Sequence, residues 1–387
     1  MNRPVFKYAC VLVITILTVS TLFAQSGEKP HGPNVINTAV PFLTIAPDAR
    51  GGGMGDVGVS SFADATSLYW NPAKYAFAEH RFGLQTSYVP WLRALVDDIG
   101  LFSLFGYYKI DDRSAVAASL RYFSLGEIHF WGQNQEDLGL WNPNEFALDG
   151  TYSRKFSETI SGAVAGRFIY SNLTQGQGEN NTAGWSVAAD VAFYYRQPIE
   201  ISSLDGSTLN VGVNISNIGR KISYTDSKIA ESFIPTMLRF GPSYEMEIDR
   251  YNAFTVFLDI SKLLVPTPPI YEKDTLGNLN IVKGKNPDVS VFQGMIQSLY
   301  DAPGGFSEKM QELMWSAGVE YWYNKTFALR GGYFYEHKNK GNRQYLGLGA
   351  SIRYSMFDLG FSYIVPTNGQ VSPQDNTLRF TLSINFD

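Results

Sequence analysis

The closing stretch of the chain alternates without a break. Leu378, Phe380, Leu382, Ile384 and Phe386 are apolar, and Thr377, Arg379, Thr381, Ser383 and Asn385 between them are polar. A period of two puts the two sets on opposite faces of a β-strand, one fit for an apolar medium and one for a polar medium. The pattern returns at 184–196, where Trp185, Val187, Ala189, Val191, Phe193 and Tyr195 oppose Ser186, Ala188, Asp190, Tyr194 and Arg196. It returns again at 344–354, where Leu346, Leu348, Ala350, Ile352 and Tyr354 oppose glycines, Ser351 and Arg353. Fourteen strand segments follow residue 79, centred on 80–89, 99–109, 114–124, 145–156, 159–170, 184–196, 207–216, 236–247, 251–261, 315–323, 326–335, 344–354, 357–364 and 376–386.

The connections alternate in length. Short ones fall at 110–113, 157–158, 248–250, 324–325 and 355–356, and long ones at 125–144, 171–183, 217–235 and 262–314; the longish 197–206 breaks the rule. Outer-membrane barrels join their strands by short periplasmic turns and long outer loops. A β-sandwich also uses alternating strands, but its apolar faces must meet in one core. Fourteen strands with this rhythm predict an all-β fold: a fourteen-stranded antiparallel transmembrane outer-membrane β-barrel. Half-polar strands also explain a mean hydropathy of only −0.12 beside 26 Phe and 23 Tyr. No run of about 20 apolar residues is present to cross a membrane as a helix.

Ahead of the strands lies a glycine-rich stretch, Thr44–Phe77, of the kind a plug inside a barrel requires, because glycine permits tight bends and close backbone approach. At least one of Gly51, Gly52 and Gly53 is expected at positive φ. Asn71-Pro72-Ala73 is expected to lead from plug to first strand near the periplasmic rim. Gly53-Met54-Gly55-Asp56-Val57-Gly58 also fits G-x-G-x-x-G, but without the preceding strand and following helix of a dinucleotide site. Arg3, Lys7, the apolar Ala9–Val19 and Ala24-Gln25 read as a cleaved signal peptide. The expected division is therefore 1–24 signal peptide, 25–78 periplasmic tail and plug, and 79–387 barrel with a helical outer insert at about 262–314. Cys10, the single cysteine, falls in the leader.

No catalytic set emerges. His31, His80, His129 and His337 show no metal-ligand spacing, no G-x-S-x-G is present, and the cysteine leaves with the leader. The protein is read as no enzyme, with no metal and no cofactor. A net charge of −5 and a pI near 5.5 argue against a nucleic-acid partner. Arg121, Arg167, Asp190, Arg239, Glu245, Asp259, Glu320, Arg330, Arg353 and Arg379 fall on inward faces. They either pair with one another and with plug groups such as Asp56 and Asp64, the favoured reading, or line a route for a polar solute.

The outer loops hold the partner-binding candidates. Trp131 and Trp141 belong either to the interfacial aromatic girdle or to a binding surface. In the insert, Asn286 and Pro287 suit N-cap and N1 positions, and Val289, Phe292, Ile296 and Leu299 then share one helical face, followed by Phe306, Met310 and Leu313. That face either covers the barrel rim or meets a partner.

Ala63-Asp64-Ala65-Thr66-Ser67 and Asn71-Pro72-Ala73 resemble the N-terminal hatch of the FadL-like outer-membrane channels. The longer run Val40-Pro41-Phe42-Leu43-Thr44-Ile45-Ala46-Pro47-Asp48-Ala49-Arg50-Gly51-Gly52-Gly53-Met54-Gly55 resembles more narrowly the PorV branch, which serves type IX protein secretion. On that resemblance Gly51, Gly52, Gly53, Gly55, Asp64, Asn71 and Pro72 form the plug motif. The implied role is to bind C-terminal signal domains of translocated cargo and shuttle them from a SprA/Sov-type translocon to a PorU-type sortase and attachment complex. The implied surroundings are outer-membrane lipid and lipopolysaccharide. The wider resemblance implies an alternative, an uptake channel for fatty acids or other hydrophobic solutes.

Overall fold

The computed structural model describes residues 32–91, 98–131, 136–173, 181–225, 231–369 and 377–387. The architecture below lies within Asn34–Asp387. Met1–Pro33 is a separate unit of which only residues 32 and 33 are described, so the expected signal peptide lies outside the described residues.

Fourteen strands close into an antiparallel barrel: β1 (Phe82–Pro90), β2 (Ile99–Lys109), β3 (Ser114–Leu125), β6 (Asn144–Lys155), β7 (Ile160–Asn172), β8 (Gly184–Pro198), β9 (Gly206–Gly219), β10 (Met237–Glu247), β11 (Asn252–Leu263), β14 (Met314–Tyr323), β15 (Phe327–Tyr335), β16 (Gln344–Tyr354), β17 (Phe357–Pro366) and β18 (Leu378–Phe386). Each pairs with its neighbours along the chain, and β1 closes on β18 from Phe82↔Phe386 to Tyr88↔Phe380. The alternation decides which face each side chain takes. On β8, Trp185, Val187, Val191 and Phe193 point out to the surface, and Ser186, Asp190, Ala192 and Tyr194 are buried. Exposed outer-face aromatics gather near both ends of the strands. Tyr108, Tyr195, Tyr323, Phe327 and Phe386 lie toward the short turns, and Phe102, Tyr122, Phe168, Trp185 and Trp315 toward the long loops. That is the two-girdle arrangement of a barrel in a bilayer.

Four further strands form two small hairpins in the long connections: β4 (Ile128–Trp131) with β5 (Asp137–Trp141), and β12 (Ile270–Lys273) with β13 (Leu279–Lys283). They fall where the sequence was read as loop. Each is four or five residues long, and β13 is exposed along its whole length, so no apolar alternation marks it.

The segment from Val40 to Ala78 lies within the ring of strands. Its short helix Ala49–Gly53 packs on β15, β16, β17 and β18, and its 3-10 helix Pro72–Phe77 on β6, β7 and β8 across the lumen. The segment enters the barrel at the long-loop end and leaves it at the short-turn end. Asn34 bonds to Asn339 and Ala39 to Phe233, both at the long-loop end. Ser153 and Ser161 donate to Ala73 O, and Lys109 to Ala78 O, at the short-turn end. Residues 34–37 therefore do not lie on the short-turn side, where a periplasmic tail was expected. The physical reason is a match of apolar surfaces. Val40, Phe42, Leu43 and Ile45 meet Val89, Leu101, Phe123, Ile169, Ile222 and Ile234 in the outer half of the lumen. Below, Leu68, Trp70 and Tyr75 make a second apolar contact with Phe105, Tyr107 and Ala117, and the glycine-rich stretch and its charges meet polar and charged strand residues.

Candidate functional site

Two regions hold the candidate residues: the plug with the lumen wall around it, and the face built by the long loops.

The plug is organised by Asp48. It caps the helix Ala49–Gly53 by accepting from Gly51 N at 2.7 Å, and its other oxygen accepts from Trp70 Nε1 at 2.8 Å. Gly51, Gly52 and Gly53 are helical, and none has positive φ. That conformation falls instead on Gly55 (φ 74) and Asp56 (φ 60), just past the helix, where a left-handed residue ends a helix. The helical glycines serve close packing. A Cβ on Gly53 would stand 2.9 Å from Gly349 Cα on β16, backbone against backbone. Asp64 accepts from Arg50 Nη1 at 2.9 Å and from Thr66 Oγ1 at 2.8 Å. Asn71 accepts from Ala73 N at 3.0 Å and donates to Val59 O and Phe193 O, so it caps the turn that Pro72 begins and ties it to β8. This places Asn71-Pro72-Ala73 at the short-turn end, ahead of β1.

Most of the inward charges are paired with a counter-charge or with a plug backbone group. Arg50 of the plug bridges Asp64 and Glu320, and Glu320 also takes Arg330 Nε at 2.6 Å. Arg167 joins Asp149, Asp190 and Asn217, and Asp149 also takes Arg121 at 3.4 Å. Asp259 accepts from Gly58 N and Val59 N at 2.8 and 3.0 Å. Arg379 meets Asp56 at 3.4 Å and Ala46 O at 3.2 Å, and Arg353 meets Asp358 at 3.2 Å. Arg239 faces the Tyr69 hydroxyl at 3.3 Å. The lumen wall thus binds its own plug. Arg50, which fastens the plug to the wall, and Asp48, which holds the plug together from within, were absent from the expected site. Their sequence signal was an Asp at an N-cap position and a lone charge within a run of small residues.

At the loop face, Trp131 is 60% exposed, with the His129 ring stacked on it and His129 bonded to Asp137. Trp141, its expected companion, is only 4% exposed and turned into the protein. The hairpin places Trp141 opposite Ile128 and the two tryptophans at opposite ends of the pair. In the insert, the helix begins later than expected, at Val291–Gln297, capped by Ser290; Asn286 instead accepts from Asp288 N in a turn before it. Its apolar face is turned outward, as the second of the two readings requires. Gly294 and Gln297 face inward, Gly294 against Phe233 and Pro266, and Phe292 and Ile296 are 70% and 62% exposed. Leu299, and Phe306 and Met310 of the second helix, Gly305–Gln311, are exposed as well. The apolar face does not cover the rim.

A buried ionic cluster holds this insert in place. Lys309 Nζ meets Asp301, Glu312 at 3.0 Å, Thr267 Oγ1 at 2.9 Å and Ser298 O at 2.8 Å. Lys262 reaches Glu312 at 2.5 Å, and Lys340 reaches Glu308 at 2.5 Å and Glu312 at 3.4 Å. Burial pushes the Glu312 carboxyl up, but Lys262, Lys309 and the Thr267 hydroxyl outweigh it and hold it below 4.5. Glu308 is likewise held low against its burial by Lys340, Gly304 N–H and Asn34. Among the described residues no group of three or more His, Cys, Asp or Glu could hold a metal ion.

The fold is similar to that of a solved mutant of TodX, a monoaromatic hydrocarbon channel, with a TM-score of 0.53 and 12% identity over 88% of this chain and 99% of that one. The Ralstonia pickettii toluene transporter TbuX aligns with a TM-score of 0.47 and 10% identity over 88% of this chain and 98% of that one. A Pseudomonas aeruginosa FadL homologue aligns with a TM-score of 0.42 and 11% identity, over 92% and 100%. None of the curated proteins matches. The family model described as type IX secretion system protein PorV matches residues 28–270, more than half of the chain. With a closed fourteen-stranded barrel and a hatch-like segment in its lumen, the chain belongs to the PorV family, outer-membrane components of type IX secretion.

Proposed function

We propose that this protein binds the folded C-terminal signal domains of cargo on its loop face. It carries them from a SprA/Sov-type translocon to a PorU-type sortase complex. Its part is binding and transfer, with the chemistry left to the sortase. The observation that carries this reading is the outward-turned apolar face of the insert. Phe292 and Ile296 are exposed on one helix of an insert that a buried ionic cluster ties down, whereas the lumen is occupied by the protein's own chain. Interfaces draw most of their energy from a few large apolar or aromatic anchors, and a preformed surface loses little freedom on binding. A folded domain is too wide for a plugged barrel of this strand number, so the loop face is the surface available to it.

Replacing Phe292 and Ile296 together by alanine tests this. The barrel is expected to stay folded and heat-modifiable on gels, with cargo recovered on the tagged protein from solubilised outer membranes falling at least tenfold. Trp131→Ala is expected to act in the same direction and Trp141→Ala to reduce folding instead, because Trp141 is buried. Undiminished cargo recovery, with loss of hydrophobic-solute uptake in lumen variants, would overturn the reading in favour of an uptake channel.

A further inference from the structure

The described chain enters the barrel as a strap. At its outer end Asn34 is fastened three times: N–H to Asn339 O at 2.9 Å, Nδ2 to Pro268 O at 3.1 Å, and Nδ2 to Glu308 Oε1 at 2.9 Å. Pro268 and Glu308 belong to the insert. Ala39 N–H then donates to Phe233 O at 2.9 Å, and Phe233 is the residue on which Gly294 of the insert helix rests. The Asn34 side chain is thus held by the insert and Ala39 by the residue beneath it, while the Asn34 backbone is held by Asn339, whose own side chain donates to Gln311 of the insert at 3.1 Å.

Directly after the second attachment, Val40 takes φ 46 and ψ 51. A β-branched residue holds this left-handed conformation only where its surroundings impose it. Beyond it Phe42, Leu43 and Ile45 are buried in the apolar outer chamber, with the Phe42 ring stacked on Phe123 at 6.1 Å. Below, Thr44 O accepts from the Tyr69 hydroxyl at 2.8 Å, and Tyr69 faces Arg239. A strained turn between an apolar seat and an external latch marks a segment with two anchors. Losing one raises the entropic cost of keeping the other.

We propose that Asn34–Ile45 is a stopper strap. The insert's grip on Asn34 keeps Val40–Ile45 seated in the outer chamber, and loosening the insert releases them and opens an apolar space to the outside. This coupling of insert to lumen is independent of what docks on the insert.

The test uses the full-length protein in lipid vesicles and reads hydrogen exchange at the amides of Leu43 and Ile45, which bond within the seated turn to Val40 O and Phe42 O. Three variants bear on it: Asn34→Ala removes both side-chain bonds to the insert and keeps only the backbone bond to Asn339, Lys309→Ala loosens the insert, and a crosslinked Asn34→Cys/Glu308→Cys pair holds the latch shut. The expected result is exchange at both amides at least tenfold faster in the first two, wild-type or slower exchange in the third, and unchanged exchange in β1 and β18. If Lys309→Ala speeds exchange in the insert but leaves Leu43 and Ile45 at the wild-type rate, the coupling is overturned. If Lys309→Ala does not fold, Asn34→Ala decides alone, since it touches no barrel strand, and an unchanged rate there overturns the proposal too.

Discussion

Gly53 shows how narrowly single residues fix the plug. Its Cα lies so close to Gly349 that neither position has room for a side chain. Valine at 53 is expected to cost about 2 kcal/mol, the usual penalty for forcing atoms into a packed interior, and to speed hydrogen exchange in Ala49–Gly53 while the barrel strands keep their protection. At this scale the glycine run was legible as a place of close approach but not as to its partner, because the opposing glycines of β16 lie almost 300 residues away along the chain. The positive φ was expected within Gly51–Gly53 and falls just beyond, at Gly55, for a related reason. A helix of five residues followed by a left-handed turn has no periodicity long enough to read, so the turn at Gly55 could not be told from the helix before it. Trp141 was misjudged because tryptophan in a loop looks the same in sequence whether it is buried by a hairpin or displayed by one.

Among the elements, the barrel strands were the most legible, since each is long enough for its period to repeat. β16 spans Gln344–Tyr354, as its alternation indicates. Leu348 is half exposed on the outer face at the middle of β16, so arginine there is expected to cost about 2–4 kcal/mol at mid-membrane depth, read by unfolding in lipid vesicles. Ser383→Arg is the inward control and should cost little, because Ser383 is half-buried and bonds only Gln85 among the contacts of its hydroxyl. The insert was less legible. Its helical spacing pointed to an apolar face, but which side would be covered depends on Phe233 and Pro266 from other parts of the chain. Its ionic cluster makes it sensitive to acid. Glu312 and Glu308 are held below 4.5 when folded, so their contribution is fully present above that value and is lost as the pH falls below it. Limited proteolysis between pH 7 and pH 3 is expected to open the segment 264–313 in the acid range while β14 and β11 stay protected, and Glu312→Gln should move that opening toward neutral pH.

In the whole molecule, the lumen and the loop face are expected to fail in different ways when damaged. Arg167 sits where β6, β7, β8 and β9 converge inward, joining Asp149, Asp190 and Asn217, and it is almost wholly buried. Removing one partner from such a cluster leaves a buried carboxylate without its counter-charge, a loss of about 3–5 kcal/mol; here that is Asp190, since Asp149 keeps Arg121 at 3.4 Å. Part of that is recovered here, because Asp149 keeps Ser119 at 2.6 Å and Asp190 keeps Asn217 N at 2.7 Å. Arg167→Ala is therefore expected to lower barrel stability by about 3 kcal/mol, toward the lower end of that range. The loss would be seen as loss of the heat-modifiable band at a lower temperature or urea concentration. At a temperature where the variant is still folded, its cargo recovery should equal the wild type, because no loop residue has moved. The Phe292/Ile296 variant should show the reverse, normal unfolding with poor recovery. If Arg167→Ala lost cargo in proportion while its barrel remained intact, the lumen itself would be part of the binding machinery, and the plug would have to be counted as a moving part of transport rather than as the filling that makes the barrel a platform.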